Sequence, residues 1–207
     1  MTMPTSKPGV ARSAAIALLA CLVLAACGGP KTRYYAVRMV KRAGSPAPPL
    51  TAMSAAVERF RGDRVYDQER IIYRDENNEV GFYEYHRWLS SPVDLTMRSV
   101  MGELAGAGYF RSVALYRDDP QADYLLRGQV LNFEEVDKAA GVFAVVRLEM
   151  SLIDNRRRTQ LWSCAGEAEL AVDVRSVPGV AQALDAALAE SAREAVLSLG
   201  EYLKQNR

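Results

Sequence analysis

The sequence predicts an α+β fold: an antiparallel-rich β-sheet with two helices packed on one face, in a single domain. Three observations carry this. Val142–Ile153 and Gln160–Val172 each alternate apolar and polar residues over the length of a long strand. Two other segments, one opening at Ser91 and one closing at Leu203, repeat apolar residues every three or four positions, the period of a helix with one buried face. The order of elements is several strands, a helix, three or four strands and a second helix.

Ahead of that domain, residues 1–26 read as a lipoprotein signal peptide that is removed, 27–33 as a lipidated N-terminus and tether, and 34–207 as the folded part. Lys7 and Arg12 form a sparse positive region, and Ala14–Ala26 is an apolar run of 13 residues that ends in small side chains. A membrane-spanning helix needs about 20 apolar residues. The polar stretch after Cys27 offers no continuation. Cys27 closes the run Leu24-Ala25-Ala26-Cys27, so its thiol is expected to carry a diacylglyceryl thioether and its freed α-amine an acyl chain such as palmitate. Each buried methylene contributes roughly 0.8 kcal/mol, which makes a multiply acylated cysteine an effectively permanent anchor. An ordinary secretory signal that happens to contain a cysteine is the competing reading, and the tight Leu-Ala-Ala-Cys at the end of the apolar run favours lipidation. Gly28 stands where an Asp commonly retains such lipoproteins in the inner membrane. The expected location is therefore the outer membrane, facing the periplasm.

Within the domain, Tyr34–Val40 reads as a first strand, and the Pro-rich Ala43–Leu50 as a loop whose ring constraints forbid a helix. Ala52–Phe60 follows as a second strand. Arg70–Arg74 and Val80–Arg87 are β-branched and aromatic segments around Asp75–Glu79, where Asn tolerates positive φ, and they predict a hairpin. Ser91 caps the first helix, Pro92 suits its first position and Asp94 complements its dipole. Val93, Met97, Val100, Met101 and Leu104 share its apolar face, and Gly106 and Gly108 end it. Val113–Tyr116 is a short strand. Tyr124–Val136 is a strand whose alternation slips, which places a bulge near Gly128. After it, Val142, Ala144, Val146, Leu148, Met150 and Leu152 share one face, and Trp162, Cys164, Gly166, Ala168, Leu170 and Val172 another. The small residues in that second row invite close approach by a helix. Val180–Leu203 supplies one, with Leu184, Leu188, Ala192, Ala195 and Leu199 in its stripe.

Composition narrows the function. Removing 26 residues from 207 leaves 181, enough for one domain with a real core. The leader takes two of the 26 basic residues and no acid, so the remainder carries 24 basic against 25 acidic side chains, a net −1. Near-neutrality argues against nucleic acid. Of the three cysteines, Cys21 leaves with the leader and Cys27 is lipidated, so Cys164 is the remaining thiol. A disulfide framework is excluded by that count, and with His86 as the single histidine so is a His- or Cys-rich metal site. No cofactor is expected beyond the covalent lipid on Cys27.

Catalytic readings fail on context. Ser163 lies mid-strand without a nucleophile elbow. Cys164 lies on an apolar face, where burial raises a thiol's pKa and makes it inert. His86 and Glu84 fall on the same side of a hairpin, where a cross-strand polar contact is the expected role. Glu134-Glu135 and Asp118-Asp119 read as solvated surface. No nucleotide motif is found, and the chain does not read as an enzyme. Aromatic density is the unusual feature: Tyr66, Tyr73, Phe82, Tyr83, Tyr85 and Trp88 cluster around the hairpin. Tyr83 and Tyr85 are expected on one side and Phe82 on the other. One set is then left for a partner, with Tyr83, Tyr85 and Trp88 as candidates, or is covered by loops.

The block from Arg70 to Trp88, RIIYRDENNEVGFYEYHRW, resembles the ABC-type transport auxiliary lipoproteins, which include PqiC-like outer-membrane lipoproteins. The likeness extends through Tyr34-Tyr35, Ser91-Pro92, Gly108–Val113 and Ala122–Gly128. The resemblance implies a non-catalytic partner of a transporter with a mammalian-cell-entry (MCE) domain protein, an ABC permease and an ATPase, moving lipid between membranes and supporting membrane integrity. It also implies oligomeric assembly. The alternative is a structural or secretion-assembly lipoprotein that forms a homo-oligomer without transporting lipid.

Overall fold

Among residues 30–38 and 48–206, which the computed structural model describes, the chain forms nine strands and two helices. Cys27, the leader, part of the Pro-rich loop, and Met39 and Val40 of the expected first strand lie outside the described residues. The strands are β1 (Arg33–Tyr35), β2 (Ser54–Val57), β3 (Arg61–Gly62), β4 (Arg70–Arg74) and β5 (Val80–Trp88). Then come helix α1 (Pro92–Ala107), β6 (Ser112–Leu115), β7 (Tyr124–Lys138), β8 (Gly141–Asp154), β9 (Gln160–Ala171) and helix α2 (Val177–Gln205).

β7 organises the sheet. One of its edges takes β8 antiparallel along the whole length, and β8 takes β9 the same way. The other edge takes β2, β3 and β4 in succession, all parallel: Leu125 pairs with Ala56, Val130 with Gly62 and Glu135 with Tyr73. β6 extends the sheet beyond β2, while β5 and then β1 extend it beyond β4. The result is a mixed nine-stranded sheet in which the two long pairings and the β4–β5 hairpin are antiparallel and the other short pairings parallel. This is the α+β architecture expected from the sequence.

Both helices bury their stripes against one face. Val93, Val100 and Leu104 of α1 join Leu184, Leu188, Ala192, Ala195 and Leu199 of α2 in one core with Leu126, Val130, Val146, Leu148, Met150 and Leu152 of the sheet. Fully burying one such Leu side chain contributes roughly 1.5–3 kcal/mol. The expected close approach is present at Gly166, where an added Cβ would strike the Ser191 carbonyl oxygen of α2. Among the described residues, a separate small apolar cluster of Ala56, Ala122, Leu125 and Ile153, with Tyr116 against it, lies on the opposite face.

Local chemistry sets the boundaries. Ser91 Oγ accepts from the Asp94 amide to cap α1, and Gly108 ends it at φ 64°. Asp75 Oδ1 accepts from the amides of Asn77 and Glu79, and Asn78 takes φ 65°, which closes the β4–β5 turn as expected. α2 starts at Val177, three residues before the expected Val180, because Ser176 Oγ accepts from the Gly179 amide and Pro178 occupies its first turn.

Three expected boundaries are corrected. The first strand runs over Arg33–Tyr35 and not on through Arg38, because the Arg38 amide and Nε both donate to Asp185 of α2, each at 2.8 Å. The second strand is Ser54–Val57, not Ala52–Phe60. Beyond it the chain leaves the ladder so that Phe60 packs over Gly128, where any Cβ would meet its ring. The β7 bulge lies between Val130 and Asn132, a few residues beyond the expected place near Gly128, and the missing side chain of Gly128 serves Phe60 instead.

Candidate functional site

The aromatic hairpin is split by a large irregularity. Arg70 pairs with Arg87 while Ile72 pairs with Phe82, so two steps along β4 face five along β5. Regular alternation is lost between Tyr83 and His86. The two then fall on the same, helix-facing side, with rings in edge contact at 6.2 Å. Tyr85 is therefore not the neighbour of Tyr83 on one face, as simple alternation predicts; it stands out at 38% exposure.

On the inner side the rings form a connected group. Trp88 is 1% exposed and meets Phe133 edge-on at 5.5 Å, with Tyr35 at 6.4 Å. Its indole Nε1 finds no acceptor among the described residues. Tyr35 stacks on His86 and shares a hydrogen bond of 2.8 Å with its Nδ1. The cross-strand polar contact expected of His86 is thus made, with a tyrosine on β1. Tyr83 packs against Tyr73 and donates its hydroxyl to Glu135 Oε2 at 2.7 Å. Burial first, and the Glu135 carboxylate second, raise the Tyr83 hydroxyl above the ordinary phenol range. Burial likewise pushes the Glu135 carboxyl up, against the pull of the Tyr83 hydrogen bond. Of the three aromatic candidates for a partner contact, the structure places Trp88 in the core and Tyr83 half under cover. Tyr85 alone is offered to solvent.

Glu134 and Glu135 correct the reading of a solvated acidic pair, since both are buried. Glu134 points to the other face, where Arg74 donates from Nη2 at 3.0 Å and from Nε at 3.2 Å, and Asn132 Nδ2 donates at 2.8 Å. Tyr66 completes this cluster; burial, helped by the Glu134 charge, pushes its hydroxyl up to about 12. Sequence reasoning missed the cluster because Arg74 is brought to Glu134 by parallel pairing of β4 on β7 and Tyr66 reaches it from the segment before β4, while Asn132 stands two residues away on β7 itself. The adjacency of two acids carried no sign of it.

Above the Glu134 side of the sheet, the strand ends present a mixed apolar and cationic surface. Tyr34 pairs with Arg87, Arg87 with Arg70, and the Arg70 guanidinium sits 3.8 Å over the Phe82 ring. Further along this face a groove of about 520 Å³ is lined by Arg127, Gln129, Glu149, Ser151 and Ser163. Arg127 is held there by Glu58 at 2.8 Å, and the polar walls do not suit an acyl chain. Cys164 faces the helix side, its Sγ 3.8 Å from the Ala195 carbonyl, and burial pushes its thiol up to about 11. A thiol so protonated at neutral pH is a poor nucleophile.

The domain is thus a mixed sheet with two helices on one face, closed by an aromatic end whose rings are mostly spent on packing. The chain belongs to the family of ABC-type transport auxiliary lipoprotein components, whose model matches residues 40–196. Its fold is similar to that of protein XCC0632 from Xanthomonas campestris, 22% identical, with a TM-score of 0.73 over 84% of this chain and 98% of that one. It is also similar to the hypothetical protein CT253 from Chlamydia trachomatis, 8% identical, with a TM-score of 0.53 over 75% of this chain and 100% of that one. At these identities the likeness is one of fold. No curated protein matches the chain in sequence.

Proposed function

We propose that this chain is an outer-membrane-anchored lipoprotein that faces the periplasm and serves as a non-catalytic accessory subunit of an MCE-type ABC lipid-transport system. The observation that carries the reading is the match of residues 40–196 to the transport auxiliary lipoprotein family. Leu24-Ala25-Ala26-Cys27 supports acylation of Cys27, and Gly28 supports the outer membrane. The domain then acts by contact. Of the three aromatic candidates Tyr85 is the exposed one, and an MCE protein docks through it, since an aromatic ring buries large area while ordering few rotors.

Crosslinking in intact cells, followed by capture of the native lipoprotein, tests this. An MCE protein is expected in the capture, and Tyr85→Ala is expected to lose it while the domain stays folded. Failure to recover any MCE protein rejects the docking role. A deletion strain that keeps outer-membrane lipid asymmetry and detergent resistance, but loses a surface polymer, replaces transport with assembly.

A further inference from the structure

We propose that the face carrying Tyr34, Arg87, Arg70, Phe82 and Leu89 lies against the anionic headgroups of the membrane that holds the lipid anchor. The inference rests on the anchoring reading above and adds an orientation to it. Four observations lead there. Nine large apolar side chains are exposed among the described residues, and Tyr34, Val80, Phe82, Tyr85 and Leu89, five of the nine, belong to β1, β5 and the residue after it. Their exposures are high, 58% for Tyr34, 52% for Phe82 and 59% for Leu89. The register joins Tyr34 to Arg87 and Arg87 to Arg70 on one surface, with Phe82 beneath the Arg70 guanidinium. Neither arginine pairs with a carboxylate among the described residues.

The fourth observation is the covalent reach. Tyr34 follows Cys27 by seven residues. At ~3.5 Å per residue the chain between them spans about 25 Å at most, so β1 is held within a domain's width of the acyl chains. A surface so tethered meets the bilayer at high effective concentration. Its composition fits that setting: tyrosine rings favour the interface, and unpaired arginines are drawn to anionic headgroups while their stems cover apolar surface. The acids of the hairpin, Asp75, Glu76 and Glu79, sit at the end of β5 away from β1, where they would not oppose the contact. Glu84 is the acid nearest the bulge, beside Tyr85.

The test uses the full-length lipoprotein, purified and reconstituted in phosphatidylethanolamine–phosphatidylglycerol vesicles, with a polarity-sensitive dye on Phe82→Cys, Leu89→Cys or, as a control, Leu197→Cys. Leu197 is exposed on α2, and the half-buried Cys164 thiol, held protonated at neutral pH, leaves the new cysteine as the more reactive one. Spin-labelled lipid headgroups are expected to quench dyes at 82 and 89 several-fold more than at 197. Replacing phosphatidylglycerol by phosphatidylcholine should weaken that quenching, as should Arg70→Gln with Arg87→Gln. Mass spectrometry of the same sample reports the state of Cys27. Acylated protein with equal, weak quenching at all three positions overturns this orientation and leaves the anchor standing. Dyes at 82 and 89 that are shielded but transfer energy between protomers show that a second copy covers the face, which also overturns it. An unacylated Cys27 sinks the anchor and the orientation together.

Discussion

The β7–β8–β9 ladder with α2 and the aromatic end formed by β1, β5 and β4 use the same kinds of residue in opposite ways. In the ladder the inward side chains follow from strand alternation on either side of the bulge between Val130 and Asn132, and the small Gly166 lets the α2 backbone settle on β9. Its long antiparallel registers run regularly over most of their length, with one shift in each. At the aromatic end, pairing is short and mixed, parallel for β1 on β5 and β4 on β7 but antiparallel for β4 on β5, where β5 carries extra residues, and two acids go under cover because distant partners meet them. Regular alternation produces a predictable core. A bulge produces a surface that alternation alone cannot assign.

The sharpest way to break this contrast compares two aromatic residues three positions apart. Trp88→Ala is expected to cost about 3–5 kcal/mol, because it empties the space beside Phe133 and Tyr35. Tyr85→Ala should change stability by less than ~0.5 kcal/mol, as an exposed side chain at the irregularity. Urea unfolding of both variants decides it. Equal losses would mean that Tyr85 is packed and that β5 alternates regularly after all.

Next in size is Glu134→Ala, which strands Arg74 and Tyr66 without their carboxylate. Breaking a buried pair is costly, but the Arg74 side chain keeps 29% of its surface, which lowers the expected loss to about 2–3 kcal/mol. Glu134→Gln retains an acceptor for Arg74 and should lose less. A Glu134→Ala variant as stable as the parent would place this acid in solvent, where simple reading of the sequence put it.

In the ladder, Gly166→Ala is expected to lose about 1–3 kcal/mol, since the new methyl must displace backbone of α2 rather than a flexible side chain. Ala165→Ser, one residue away and exposed, serves as the control and should be close to neutral. This glycine also marks what was legible. Its row of small residues announced a helix at close range, and the two long strands, the caps at Ser91 and Gly108 and the Asp75–Glu79 turn all follow from local rules. The break after Val57, the bulge beyond Val130 and the departure of the chain at Arg38 do not. The first and the last depend on a partner far along the chain, Gly128 for Phe60 and Asp185 for Arg38, which no local pattern encodes. For the candidate site, the aromatic block was visible in the sequence, but which rings face solvent depended on a register shift that was not.

The smallest predicted effects separate the two ends of β7 by the sign of their pH dependence. Asp123, just before the strand, accepts from the Ser54 amide at 2.9 Å and the Ser54 hydroxyl at 3.0 Å, and these bonds hold its carboxyl below the ordinary carboxylate range. A lowered carboxyl contributes stability above its unfolded pKa and loses it as pH falls through the folded value. Glu135, near the other end, is raised by burial, so its contribution is greatest below its unfolded pKa and declines as pH rises through the folded value. Asp123→Asn should therefore remove part of the acid-side loss. Glu135→Gln, still able to accept from Tyr83, should remove part of the decline on raising pH and leave the neutral-pH protein no less stable. Urea midpoints measured against pH for both variants should diverge from the parent in opposite directions. Parallel curves would mean that the two carboxyls share one environment, and that the aromatic end is as open to water as the start of the strand.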